Sequence, residues 1–218
     1  MGLYMINEFD IKIQCRDNLN TLLLVPIINY DKIIVNVVKQ LNSKKTCYIT
    51  LNKTYDALIE LLKTKNVNTD NFVFIDGITK TVRNISDVSN CRFIDPPIDL
   101  TDLSRNIYEL LKNGFDYMIF DSLSNLFTYQ KENAIEYFLQ NLINILDERN
   151  CRGVFFALKD HRPYLPSPLI KLDKLSLSQD EKRSLLDGSY MFTSRMTEGM
   201  TIFDVDEEGN VEVYDGCR

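Results

Sequence analysis

The chain has 218 residues, 44% hydrophobic and 26% charged, which is enough for one domain with a full core. A formal net charge of -6 and a pI near 4.9 give no global basic footprint for nucleic acid. No apolar stretch approaches the roughly 20 residues of a membrane span. The opening residues, with Glu8 and Asp10, lack the charged and apolar regions of a signal peptide.

The five cysteines, Cys15, Cys47, Cys91, Cys151 and Cys217, include no C-x-x-C pair and point to a reduced, cytoplasmic protein without a structural zinc site. Only 8 glycines occur, and none lies between Gly2 and Gly77.

In chain order, residues 1–20 read as an N-terminal arm. The apolar run Thr21–Val25, stopped by Pro26, predicts a first buried strand. Apolar residues at 33, 34, 37, 38 and 41 predict a helix with Asp31 at its cap. Thr46–Leu51 is a second strand, and Thr54 caps a helix running to Lys65. Asn71–Gly77 is a third strand, ending on Asp76, and Arg92–Pro96 a short fourth. Thr101 or Asp102 caps a helix to Asn113. The fifth strand, Tyr117-Met-Ile-Phe, delivers Asp121-Ser122 at its tip. Lys131–Arg149 is a long amphipathic helix with Ile135, Phe138, Leu139, Leu142 and Leu146 in register, and Gly153–Leu158 is a sixth strand.

The proline-broken stretch Lys159–Lys174 reads as a loop, Leu177–Leu186 as a helix and Gly188–Thr193 as a further strand. Gly199–Val205 and Asn210–Tyr214 read as an antiparallel hairpin closing the sheet edge. Strands alternating with helices imply a mainly parallel sheet covered on both faces, a three-layer αβα architecture in a single domain.

Asp121 carries the chemical interest. In open α/β sheets ligands bind beyond the carboxyl ends of the strands, where an aspartate holds a metal-bound phosphate or caps the next helix. Asp76, Asn52 and Lys53 fall on the same edge and, with Asp121 and Ser122, outline a candidate polar pocket. The competing account is ordinary turn chemistry at strand ends. Ser122 and Ser124 lack the G-x-S-x-G setting of a nucleophile. The single histidine, His161, permits a Ser122–His161–Asp76 triad on paper only. One histidine and scattered carboxylates also fall short of a transition-metal set.

The order of elements resembles the RecA-like ATPase fold, most closely that of archaeal KaiC-like proteins. The residues carrying the resemblance are Leu22–Pro26, Tyr48-Ile-Thr-Leu-Asn-Lys-Thr-Tyr55, Phe72–Gly77, Tyr117–Ser124 and Leu185–Phe192, over roughly residues 20–215. The resemblance makes Tyr117–Asp121 the Walker B strand, with Asp121 on the magnesium side.

Two parts of the family's pattern are missing. Where G-x-x-x-x-G-K-[ST] should follow the first strand, the chain reads Pro26-Ile-Ile-Asn-Tyr-Asp-Lys32, without glycine. Where a water-activating glutamate should follow the second strand, it has Asn52-Lys53. The expectation is therefore a degenerate member with no catalytic residue and no ATP or magnesium. It would work in regulation or signalling through contacts with a protein partner or with itself as a homo-oligomer. The alternative is a nucleotide binder or ATPase with a non-standard phosphate loop.

Overall fold

A computed structural model describes residues 20–96, 99–159, 200–206 and 211–213. Of the predicted arm (residues 1–20), residues 1–19 lie outside the described residues and Asn20 opens the first strand; the loop 159–174 beyond Lys159, the helix 177–186 and the strand 188–193 also lie outside them.

Among the described residues one eight-stranded sheet organises the chain. Its strands are β1 (Asn20–Val25), β2 (Thr46–Thr50), β3 (Phe72–Asp76), β4 (Cys91–Phe93), β5 (Tyr117–Asp121), β6 (Arg152–Leu158), β7 (Met200–Val205) and β8 (Val211–Val213). They lie in the order β4-β3-β2-β5-β6-β1-β7-β8. The first seven run parallel, and β8 pairs antiparallel with β7, Phe203 opposite Val213.

Helices cover both faces. α1 (Tyr30–Leu41) and α2 (Tyr55–Thr64) pack on one, against Leu23, Val25, Tyr48, Phe74 and Phe156. α3 (Leu100–Leu111), α4 (Leu123–Tyr129) and α5 (Glu132–Glu148) pack on the other, against Leu22, Leu24, Ile49, Met118, Phe120 and Phe155. With both faces buried, the central strands are continuously apolar rather than alternating. β1, β2 and β5 are buried at every position.

The helix starts show how local chemistry set the boundaries. Thr54 caps α2 as expected, its hydroxyl accepting from the Ala57 N–H at 3.3 Å. α1 begins one residue before the predicted Asp31. A 3-10 turn, Ile27–Asn29, follows Pro26 and leads directly into Tyr30, leaving the Asp31 side chain free for an ion pair described below. α3 is capped neither by Thr101 nor by Asp102 but by Asp99, which sits in extended backbone and accepts from the Thr101 N–H at 2.8 Å. The short helix α4, directly after Ser122, has no counterpart among the predicted elements.

The edge strand β4 is finished locally. Cys91 exchanges backbone hydrogen bonds with Val88 at 2.9 and 3.2 Å, and the Phe93 N–H donates to Asp87 Oδ1 at 2.8 Å.

Candidate functional site at the carboxyl edge of the sheet

Seven parallel strands bring their carboxyl ends to one rim. Thr50 of β2 stands between Asp76 of β3 and Asp121 of β5 in register. Side chains two apart on a strand share a face. Tyr48 therefore points to the same side as Thr50 and Asp121, the side on which α1 packs. This parity, together with a helix that starts immediately after β1, fixes what Asp121 meets.

Asp121 meets two phenols. Tyr30, the first residue of α1, donates from its hydroxyl to Asp121 Oδ1 at 2.5 Å, and Tyr48 donates to Oδ2 at 2.7 Å. Asp121 and Tyr48 are 0% exposed and Tyr30 3%. Burial pushes the Asp121 carboxyl above the usual carboxylate range. The hydrogen bonds from Tyr30, Tyr48 and Asn52 and the nearby Lys53 charge oppose that rise. Burial, then the Asp121 charge, raises both phenols well above their ordinary value, so they remain protonated donors. The Tyr30 ring also stands edge-on to Phe156, with centroids 6.0 Å apart.

The other predicted residues divide into two groups. Asn52 and Lys53 join Asp121: Lys53 Nζ pairs with Asp31 Oδ1 at 3.0 Å, linking the end of β2 to the first turn of α1. The loop between them is set by Thr50, whose hydroxyl donates to the Lys53 carbonyl at 2.5 Å and accepts from its N–H at 3.2 Å. Asp76 serves a different structure on the same rim. Its carboxylate, 0% exposed, accepts from the N–H groups of Tyr55, Ile78 and Thr79 at 2.6, 2.7 and 2.8 Å and from the Thr79 hydroxyl at 2.5 Å. It joins the start of α2 to the turn after β3.

Ser122 is buried, with its hydroxyl 3.4 Å from Asn125 Oδ1, and Ser124 accepts from the Leu158 N–H at 2.8 Å, anchoring the end of β6. Both are tied into local structure, and His161 lies outside the described residues. Among the described residues no group of three His, Cys, Asp or Glu side chains is placed to hold a metal ion. Tyr30 and Tyr48 were not among the predicted site residues. The available signal was a tyrosine two positions before the strand-end Thr50.

The β1–α1 connection is the remaining part of the rim. Of the groups in this turn, Pro26 has no N–H, the Asn29 N–H donates to the Pro26 carbonyl at 3.0 Å, and the Tyr30 N–H donates to the Ile27 carbonyl. Ile27 and Ile28 are 67% and 77% exposed. Beside this turn the Lys159 N–H donates to the Val25 carbonyl at 3.0 Å. Its Nζ pairs with Asp204 Oδ1 at 2.7 Å, so the pair reaches from the end of β6 to β7 past the β1 strand between them. Asn29 Nδ2 donates to the Asp206 carbonyl at 3.3 Å.

No protein-family model matches the sequence, and no curated protein matches it. The structure is similar to that of a KaiC-like protein from the hyperthermophilic archaeon Pyrococcus horikoshii OT3, with a TM-score of 0.52 and 14% identity. The match covers 90% of this chain and 78% of that one. At that identity the likeness establishes the fold, a RecA-like α/β sheet. Among the described residues no helix is long and apolar enough to cross a membrane.

Proposed function

We propose that this chain is a degenerate RecA-like domain that does no nucleotide chemistry and acts in regulation or signalling through protein–protein contacts, with itself or with a protein partner. The observation that carries the reading is the β1–α1 turn. A phosphate bound at that position is held by several converging backbone N–H groups, made accessible by glycine. Here a proline, an internally bonded 3-10 turn and two outward isoleucines occupy the place.

Two further features support it. Asn52 and Lys53 stand where a general base would be needed, and neither side chain can serve as one there. Asp121, the carboxylate best placed for a metal ion, has both oxygens engaged by tyrosines. ATP and magnesium do not fit this donor set. What remains at the rim is a surface for contacts, with Ile27 and Ile28 among its exposed apolar side chains.

Titration with Mg-ATP, Mg-GTP and cyclic nucleotides, followed by thermal shift and calorimetry, tests the reading. Silence in both, with a mass by light scattering that rises with protein concentration or on adding a partner, is the expected result. A saturable heat signal with any nucleotide would instead establish a nucleotide binder with a non-standard loop.

A further inference from the structure

We infer that the hydroxyls of Tyr30 and Tyr48 are the resident ligands of Asp121, standing where the fold would otherwise present this carboxylate to a divalent cation. The argument is geometric. A hard cation is held by carboxylate oxygens that face a space shared with water and further oxygen donors. Asp121 Oδ1 instead faces a phenol at 2.5 Å and Oδ2 another at 2.7 Å, and all three side chains are buried.

The two donors come from different elements. Tyr48 is carried by β2, the neighbour of β5, and Tyr30 by the first residue of a helix that enters without a phosphate loop. The charged and titratable groups acting on the carboxylate are Tyr30 on α1, Tyr48 on β2 and Lys53 after it, and Asp31 on α1 acts on both phenols. The polar side chains of Asn52 and Ser122 adjoin them. Lys53 is the cation in this set, and it is shared with Asp31. Much of the stabilisation of a buried carboxylate therefore falls to the two hydroxyls, as it would to a metal ion in a metal-binding protein. Tyr30 and Tyr48 are thus positioning residues, and the donor set is complete without a metal.

This inference rests on the non-catalytic reading, yet it fails on different evidence. The experiment is thermal unfolding of the wild type, Tyr30→Phe, Tyr48→Phe and Asp121→Asn, at about pH 7 and about pH 4.5, with and without Mn²⁺. The wild-type midpoint is expected not to move with Mn²⁺. Each phenylalanine variant should lose on the order of 5 °C at the higher pH, because a buried charged acceptor loses a donor. That loss should shrink as pH falls toward the raised folded pKa of the carboxyl, because a protonated Asp121 no longer needs two charge-stabilising donors.

Should the phenylalanine variants fail to fold, Asp121→Asn still decides the matter. A folded pKa raised above the unfolded one means that stability is lost as pH rises through it. The asparagine variant must therefore gain on the wild type with rising pH. A Mn²⁺-dependent midpoint shift that Asp121→Asn abolishes overturns the inference, as does a difference from wild type that is the same at both pH values in every variant. Nucleotide binding without a metal effect at Asp121 would sink the non-catalytic reading and leave this one standing.

Discussion

Replacing Asp76 by alanine separates a ligand from a structural strut. The carboxylate is fully buried and accepts four hydrogen bonds. Two of them, from the Thr79 N–H and hydroxyl, are buried, while those from the Tyr55 and Ile78 N–H groups are partly buried. A buried donor left without an acceptor costs about 1–3 kcal/mol. The two Thr79 donors bear that cost in full, whereas water reaches the other two in part. The terms share one carboxylate and do not add, so Asp76→Ala should cost about 3–5 kcal/mol.

Asparagine keeps one acceptor oxygen but turns an NH₂ toward the remaining donors, for a smaller loss of about 2 kcal/mol. Equilibrium urea unfolding measures both, run with and without Mg²⁺. A strut gives large losses that are independent of Mg²⁺. If Asp76→Ala falls within about 1 kcal/mol of the wild type, or if Mg²⁺ stabilises the wild type and not the variant, the assignment is wrong.

Two further substitutions or modifications probe the packing. A methyl group at Gly153 would lie 2.5 Å from Asn20 Oδ1, 2.5 Å from the Phe155 ring and 2.9 Å from Leu146 Cδ1. Because β1, β6 and α5 all converge there, Gly153→Ala should lose about 1–3 kcal/mol in urea unfolding, and a neutral result would contradict this packing. Burial pushes the thiols of Cys47, Cys91 and Cys151 up, that of Cys151 to about 12. Alkylation resolved by mass spectrometry should leave these three unmodified in the native protein and label them rapidly in denaturant. Native labelling at the denatured rate would refute their burial.

Most of the sheet was readable because it is parallel. Burial on both faces forces runs such as Leu22–Val25 and Tyr117–Phe120, which announce themselves without any alternation. Helix entries were less legible, since capping depends on backbone shape. Asp99 prevails over Thr101 and Asp102 because it is the residue in extended conformation. The seven-residue helix α4 is too short to show a period.

At the rim, sequence reasoning placed Asp121, Asn52 and Lys53 on one edge and found the glycine-free turn, but it could not say what Asp121 touches. Its partners are 91 and 73 residues away in the chain. Only the strand order and the parity of β2 bring them together. Asp76, on the same edge, proved to be committed to the start of α2, a contact 21 residues apart in the chain that the capping signal at Thr54 gave no means of seeing.

The finish on β4 bears on how this protein can associate. A sheet grows across molecules by offering unpaired N–H and C=O groups to an incoming strand. At β4 the Cys91 N–H and C=O and the Phe93 N–H are already spent within the same chain. An incoming strand there would have to break those bonds before making its own. Backbone zippering by a second chain is therefore disfavoured at that margin, whatever side chains it carries.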